Sequence, residues 1–220
     1  MTQRPQPNFD RVARIYRWAE YLALGPMLLH TREHFLPLLN ASHRALVLGD
    51  GDGRFLAKLL RQNPTIEALA VDTSARMLQL LRRRCSFAGD RLQTEQANAL
   101  TTPTPPQTDL IVTHFFLDCL SEAEVITLAH RLAHEVEPGA LWLVSDFGLP
   151  HSPLLRPIAA AYIRSLYFAF RVLTGLRITH LPNPQSALAS AGFSRLARHQ
   201  HWFGLLYTEL WRLKPIAPRE

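Results

Sequence analysis

Short apolar runs alternate with amphipathic stretches from residue 44 onwards. The runs RALVLG, IEALAVD and DLIVTHFF have the length of buried strands, and helical apolar spacing follows each of them. RLQTEQANA reads as a weaker strand, and ALWLVSDF reads as a strand that follows a Pro-Gly turn. Strands that alternate with helices predict parallel pairing through right-handed crossovers. We therefore predict an α/β fold with a doubly wound, mostly parallel sheet that is covered on both faces.

Two of the predicted helices begin at recognisable caps. Ser74 is a candidate N-cap, and Ser121 with Glu124 has the spacing of a capping box. Residues 10–37 read as helical, and a long apolar segment follows the fifth strand. A helix and two strands that form a hairpin are predicted to close the chain.

Composition indicates a soluble globular domain. Hydrophobic residues make up 47% of the 220 residues and charged residues 19%, which suits one well-cored domain. Cys85 and Cys119 lie far apart in the sequence, so we expect neither a disulfide framework nor a zinc cluster. The polar opening residues do not resemble a signal peptide, and we expect a cytoplasmic protein.

Positive charge is concentrated at the two ends of the chain. Residues 1–44 carry six Lys and Arg against three Asp and Glu, residues 45–150 carry nine against thirteen, and residues 151–220 carry nine against two. Basic ends attract nucleic acid, anionic lipid and acidic substrates alike. Charge alone therefore leaves all three classes of partner open.

A glycine loop with acidic residues follows the first predicted strand. Gly49, Gly51 and Gly53 alternate with Asp50 and Asp52. Carboxylates repel the phosphates that a glycine loop at a helix N-terminus otherwise attracts. We therefore expect the ligand of this loop to be partly cationic.

A second acidic position ends the next predicted strand. Asp72 lies 23 residues after Gly49, where a carboxylate accepts hydrogen bonds from both hydroxyls of a ribose. In doubly wound sheets, ligands bind beyond the carboxyl ends of the strands. The pattern predicts a nucleoside-containing ligand, although Arg54 stands where the dinucleotide-binding fingerprint needs a glycine.

These motifs together resemble those of the class I S-adenosylmethionine-dependent methyltransferases. The stretches ALVLGDGDG, AVDTSARML, QANA, DLIVTHFFLDCL and EPGALWLVSDF follow the family's order and spacing over residues 44–147. The resemblance implies a Rossmann-like sheet of seven strands with a reversed last strand, and S-adenosylmethionine as the cofactor. The ammonium and sulfonium of that cofactor are the cations that the acidic loop would meet. Val47 departs from the family, which usually has an acidic residue there.

The resemblance also implies roles for individual residues in the cofactor pocket. The loop glycines would let the backbone approach the methionine part, and Asp72 would hold the ribose. Met77 would pack on the adenine, and Asn98 would accept a hydrogen bond from the adenine amine. The predicted cofactor-binding residues are Tyr16, Gly49, Asp50, Gly51, Gly53, Asp72, Thr73, Met77, Asn98, Ala99 and His114.

The same resemblance predicts how the chain is organised. We expect a single methyltransferase domain over residues 1–220. Its parts would be a helical cap (1–40), a cofactor-binding core (44–147), a helical insertion (151–182), and a C-terminal helix and hairpin (183–220).

Methyl transfer from a sulfonium depends mainly on alignment and a dry site. A carbanion or phenolate acceptor arrives ionised, whereas a hydroxyl or an amine must lose a proton. We predict His114, at the end of the fourth strand, as the candidate base, with Asp118 and Asp146 behind it. The alternative for His114 is a partly buried structural histidine bonded to the backbone.

No metal site is predicted from the histidine spacing. His130 and His134 stand one helical turn apart but lack the Glu of the H-E-x-x-H pattern, so we expect a solvated helix face. His199 and His201 share one face of a predicted strand. We interpret that pair as part of an exposed strand face.

The N-terminal segment is similar to that of the ubiquinone/menaquinone biosynthesis C-methyltransferases. Phe9, Asp10, Ala13 and Tyr16 fit their Phe-Asp-x-x-Ala-x-x-Tyr pattern, whereas Arg17 replaces the Asp that follows it in that family. The similarity implies that this segment caps the cofactor pocket.

The segment after the fifth strand is the predicted acceptor region. Its arginines keep every uncharged run shorter than the roughly 20 residues that span a bilayer. Three roles remain open for this segment. It could be a lid over an apolar pocket, an interfacial helix in peripheral contact with a membrane, or a core helix. We predict a small lipophilic or aromatic acceptor, which would contact Phe115, Tyr162, Tyr167 and Phe168. The oligomeric state is left open.

Two other functions fit the predicted fold less well. An RNA methyltransferase is disfavoured because THFF stands where the catalytic Asn/Asp-Pro-Pro-aromatic tetrapeptide is expected, and no RNA-binding module is recognised. We therefore expect no nucleic-acid partner. A noncatalytic binding protein of the same fold is disfavoured because the glycines and Asp72 are intact.

Overall fold

The computed structural model describes residues 25–150, 152–174 and 182–215. Tyr16 and the rest of the Phe-Asp-x-x-Ala-x-x-Tyr pattern lie outside the described residues. Tyr167 and Phe168 lie within a described helix, but their side chains are outside the described part of the structure. The predictions for these residues, and the division of the chain into one domain of four parts, stay predictions.

Seven strands build one sheet. They are β1 (Arg44–Leu48), β2 (Glu67–Asp72), β3 (Leu92–Gln96), β4 (Leu110–His114), β5 (Leu141–Phe147), β6 (Phe193–His201) and β7 (Leu206–Leu213). Their order is β3-β2-β1-β4-β5-β7-β6. Strands β1 to β5 pair in parallel, and β7 pairs antiparallel with both β5 and β6. The predicted doubly wound sheet with a reversed last strand is confirmed.

Six helices accompany the sheet in the described part of the chain. They are α1 (Gly25–Glu33), α2 (Arg54–Gln62), α3 (Ala75–Arg84), α4 (Glu122–Glu135), α5 (Leu155–Thr174) and α6 (Pro184–Ser190). Both predicted caps are confirmed. The Ser74 hydroxyl accepts a hydrogen bond from the Met77 N–H, and Ser121 forms the complete capping box with Glu124. No helix in the described ranges is long and apolar enough to cross a membrane.

Alternate residues of the strands supply two apolar layers. On β4, Leu110 and Val112 pack on the side of α2, whereas Ile111 packs on the side of α4 and α6. This alternation is the period-two pattern of a strand that is buried on both faces. A third apolar cluster lies beyond the strands, between α1, α5, the end of β5 and the start of β7.

Two strands end earlier than the apolar pattern predicts. β3 stops at Gln96, because Asn98 turns the chain by accepting the Leu100 N–H on its own Oδ1 at 2.9 Å. β4 stops at His114, because the next residue, Phe115, has a φ of +52° and cannot continue a strand. Both early ends create loops at the carboxyl edge of the sheet.

Candidate active site

The three loop glycines have left-handed backbone conformations between β1 and α2. Their φ angles are +70° at Gly49, +59° at Gly51 and +77° at Gly53. Such angles are strained for residues that have a Cβ and cost little for glycine. The Gly49 N–H donates to the Val71 carbonyl at 3.0 Å, which joins the loop to the end of β2. The loop and Asp72 are therefore neighbours, as predicted for a nucleoside site.

The surroundings distinguish Gly51 from the other two glycines. A Cβ at Gly49 would lie 2.5 Å from the Phe116 ring, and a Cβ at Gly53 would lie 2.7 Å from the Leu81 side chain. At Gly51, a Cβ would meet no atom of the described residues within 4 Å. Packing therefore requires glycine at two positions, and the third faces open space.

The two loop aspartates make contacts within the protein. Asp50 is buried, and its Oδ2 accepts the Leu56 N–H in the first turn of α2 at 3.1 Å. The Asp52 Oδ2 accepts hydrogen bonds from Arg54 Nε at 3.2 Å and Arg84 Nη2 at 2.8 Å. The charge of Asp52 is thus paired with arginines, a contact that the sequence analysis missed. The expectation that Asp52 faces a cationic ligand is not supported by this arrangement.

Asp72 ends β2 beside the first turn of α3. Its Oδ1 accepts the Ser74 N–H at 2.8 Å, which orients the carboxylate at the strand end. Thr73 follows as a half-buried residue, and Met77 is buried in the first turn of α3. Asp72, Thr73 and Met77 therefore lie at the edge that the glycine loop also occupies.

The loop after β3 reaches the same edge. The Ala97 N–H donates to the Asp72 carbonyl at 3.2 Å, so Asn98 follows directly after a contact with the end of β2. The Asn98 Oδ1 already accepts the Leu100 N–H, and a carbonyl oxygen has a second lone pair for another donor. Arg131 Nη2 donates to the carbonyl of buried Ala99 at 2.7 Å and anchors the loop to α4. No local sequence pattern indicates this anchor, because Arg131 and Ala99 are 32 positions apart.

His114 is buried at the end of β4. Its ring centroid lies 4.4 Å from that of Phe55 in an edge-on arrangement, and neither ring nitrogen has a hydrogen-bond partner among the described residues. Burial, followed by the charge of Arg32, holds the pKa of His114 well below its usual range. The imidazole is therefore neutral near pH 7. The alternative of a histidine bonded to the backbone does not occur in the described part of the chain.

Asp118 and Asp146 form a buried carboxylate pair. Asp146 and Phe147 are the last two residues of β5, and Asp118 lies in the turn Leu117–Cys119 that follows β4. Asp146 Oδ2 accepts the Asp118 N–H at 3.1 Å, and its Oδ1 accepts the Phe147 N–H at 2.9 Å. Burial, followed by the Asp118 charge, raises the pKa of Asp146 well above its usual range. These contacts join the turn after β4 to the end of β5.

An apolar cluster with aromatic members borders this carboxyl edge. Phe115 contacts Phe147 with 5.2 Å between ring centroids, and the Arg32 guanidinium lies 5.1 Å from the Phe115 ring centroid. The Tyr162 hydroxyl, on α5, is buried without a hydrogen-bond partner among the described residues, and desolvation raises its pKa. The cluster, called here the aromatic pocket wall, contains Met27, Leu28, Phe115, Phe147, Ala159, Tyr162, Ile163, Leu205 and Leu206.

A comparison with protein families identifies the core of the chain. Residues 45–139 match the family described as "Methyltransferase domain". The match begins on β1 and includes the glycine loop, Asp72, Asn98 and the end of β4. Residues 45–139 therefore carry a methyltransferase domain. The similarity to C-methyltransferases of quinone biosynthesis concerns residues before this match and stays a prediction.

Solved methyltransferase structures share the fold of this domain. An O-methyltransferase family protein from Burkholderia thailandensis is 16% identical, with a TM-score of 0.69 over 92% of this chain and 60% of that one. The mitomycin 7-O-methyltransferase MmcR is 17% identical, with a TM-score of 0.69 over 94% and 60%. The N-methyltransferase NodS from Bradyrhizobium japonicum, in complex with S-adenosyl-L-homocysteine, is 16% identical, with a TM-score of 0.63 over 87% and 88%.

The chain spans about 60% of the length of these two O-methyltransferases. A sequence comparison with curated proteins gave no match. Within the methyltransferase domain, the loops after β1, β2 and β3 lie on one side of the carboxyl edge, and the aromatic pocket wall lies beyond β4 and β5.

Proposed function

We propose that this protein transfers a methyl group from S-adenosylmethionine to a small, apolar or aromatic acceptor. The observation that carries the proposal is the aromatic pocket wall, which lies at the same carboxyl edge of the sheet as the glycine loop and Asp72. Apolar walls exclude water from a methyl-transfer site and pack against a ring or an aliphatic acceptor.

The cofactor side rests on residues of the glycine loop and the strand ends. S-Adenosylmethionine supplies an electrophilic methyl group when bound. Gly51 leaves space for a ligand next to the backbone, and Asp72 offers a carboxylate for ribose hydroxyls. Met77 and Asn98 lie on the flanking segments, where the family resemblance places the adenine.

The acceptor side rests on His114, Phe115 and Tyr162. The neutral His114 ring has one nitrogen with a free lone pair, so it can accept one hydrogen bond from an acceptor hydroxyl or amine. Because burial lowers its pKa, it is a weak base, and its main role would be to orient the acceptor. Asp146 would position this region by holding the turn after β4, through the Asp118 N–H. The small-molecule class is also supported by the similarity to a mitomycin 7-O-methyltransferase.

Labelled methyl transfer into a cell extract tests the proposed acceptor class. The purified protein is incubated with S-adenosylmethionine that carries a labelled methyl group, and the products are separated into organic-soluble and nucleic-acid fractions. We expect the label in the organic-soluble fraction. Label found in RNA and missing from small molecules would contradict the proposal and favour an RNA methyltransferase.

Two variants of α5 sharpen this assay. Tyr162→Ser places a polar group in the aromatic pocket wall and is expected to lower the transfer of label without changing cofactor affinity. Ile158→Ser is the matched control, because Ile158 lies on the same helix and is 67% exposed. Equal activity of the two variants would show that α5 does not contribute to the acceptor site, and it would not contradict the proposed cofactor site.

Gly51→Ala is expected to weaken S-adenosylmethionine binding about tenfold, or roughly 1.4 kcal/mol. The added methyl group would enter the open space over the loop, and left-handed strain would cost about 1–2 kcal/mol of stability. Gly139→Ala is the matched control. Gly139 has a φ of +84°, a Cβ there meets no described atom within 4 Å, and it lies before β5 at the opposite edge of the sheet. Calorimetric titration should show equal cofactor affinity for the control and the unaltered protein.

A further inference from the structure

Three histidines from two distant parts of the chain meet on the protein surface. His34 directly follows α1, whereas His199 and His201 lie on β6. The His34 and His199 rings are stacked with 3.8 Å between centroids, and His199 and His201 are 4.4 Å apart. His34 and His201 are 5.5 Å apart with the rings nearly perpendicular. We call these three residues the histidine trio.

A β-bulge brings the two strand histidines to the helix side of the sheet. The register of β6 against β7 shifts between Arg195 and Ala197, so one extra residue, Leu196, enters β6. After the shift, His199 pairs with Thr208 and His201 pairs with Leu206. His199 and His201 share one face of β6, as the sequence predicts, and His34 covers that face.

The nitrogen atoms of the trio are close enough to share one ion. One ring nitrogen from each histidine lies within 4.8 Å of the other two. Imidazole nitrogens bind Zn²⁺ at about 2.0–2.1 Å, so two ligands of a tetrahedral ion stand roughly 3.3 Å apart. His34 and His199 are both exposed, and their stacked rings would reorient to turn one in-plane nitrogen lone pair each toward the ion.

Two of the three histidines are favoured in their neutral form. Burial, followed by the neighbouring histidines, lowers the pKa of His201 to about 4, and burial also lowers the pKa of His34. Neutral imidazole is the form that binds metals. The buried His201 Nε2 has no hydrogen-bond partner in the described part of the chain, and an unpaired buried nitrogen is costly.

The charges next to the trio do not oppose a cation. Arg195 and Arg198 stand on the other face of the sheet, where both are paired with Glu209. His30, one turn before His34, is engaged with the Pro26 carbonyl at 3.0 Å. The guanidinium groups of Arg195 and Arg198 are therefore absent from the face that carries the trio.

We propose that His34, His199 and His201 bind one divalent transition-metal ion of the type that prefers imidazole, with Zn²⁺ as the first candidate. Three protein nitrogens leave a further coordination position for water or another ligand. The ion would join the end of α1 to the edge strand β6. This site is separate from the residues proposed for methyl transfer.

Calorimetric titration of the untagged protein with Zn²⁺ tests this site. We expect one equivalent to bind, and we expect His34→Gln, His199→Gln and His201→Gln each to weaken binding about tenfold or more, because each removes one ligand. Zn²⁺ should also raise the melting temperature of the unaltered protein and not that of the triple variant. Circular dichroism checks that each variant is folded.

The double variant His130→Gln and His134→Gln is the matched control. These histidines are exposed on α4 and one turn apart, and no third metal-binding group joins them within residues 25–150, 152–174 and 182–215. The control should bind Zn²⁺ like the unaltered protein. The proposal is wrong if no Zn²⁺ binds, if the trio variants bind it equally well, or if the control variant alone loses binding. Cofactor titration remains independent of this outcome.

Discussion

Replacing both Arg195 and Arg198 with methionine is expected to lower the free energy of unfolding by about 3 kcal/mol or more. Glu209 is 1% exposed, and its Oε1 accepts a hydrogen bond from each arginine Nη1 at 2.9 Å. Without the two guanidinium groups, a buried carboxylate is left without a compensating charge. Urea denaturation, followed by circular dichroism, measures the loss.

The single variants and a triple variant serve as controls for this result. Either single variant should lose less free energy of unfolding, because the remaining arginine still pairs with Glu209. Adding Glu209→Gln to the double variant should recover part of the loss, because an amide carries no charge to bury and can still accept from Trp211 Nε1. A double variant as stable as the unaltered protein would show that this ion-pair cluster does not stabilise the fold.

Asp72→Ala is expected to weaken the binding of S-adenosylmethionine by about 1–3 kcal/mol, or roughly 5- to 150-fold. The proposed cause is the loss of two charge-assisted hydrogen bonds to the ribose hydroxyls. Asp72→Asn is the milder comparison, since its carbonyl can keep the 2.8 Å bond from the Ser74 N–H. Calorimetric titration with the cofactor and its demethylated product gives both affinities.

The unaltered protein sets the reference for that experiment. If Asp72→Ala binds S-adenosylmethionine as tightly as the unaltered protein, the proposed role of Asp72 is wrong, whereas the rest of the proposed cofactor site is not affected. No heat of binding for either ligand in the unaltered protein, or tighter binding of NAD, would contradict the cofactor side as a whole. An unchanged circular dichroism spectrum of Asp72→Ala separates lost contacts from lost folding.

Local signals in the sequence predicted most of the fold. Ser74 and Ser121 fix helix starts through contacts only three residues long, and such short-range contacts are visible in a sequence. The end of β4 was predicted two residues too late, because Phe115 and Phe116 continue the apolar run. The left-handed φ of Phe115 depends on its packing against Phe147 and Arg32, which a local pattern does not contain.

For the candidate site too, the sequence predicted local features but not the contacts between distant residues. The positions of the glycine loop and of Asp72 at the carboxyl edge of the sheet could be predicted because strand ends and glycine spacing carry the signal, and their role in binding stays a prediction. The bonds from Arg84 to Asp52 and from Arg131 to Ala99 each join residues 32 positions apart, through the packing of separate helices. His34 reaches His199 through the docking of α1 on the sheet, so residue spacing alone gave no sign of the trio.

The extra residue in β6 also affects how the protein behaves in concentrated solution. β6 is the outermost strand on its side of the sheet, and an open edge invites the backbone of another chain to add to it. A bulge twists such an edge, and charged side chains on it disfavour addition of a strand. Leu196 and the two neighbouring arginines thus protect this edge from aggregation, so straightening β6 by removing Leu196 would make it a template for intermolecular β-pairing.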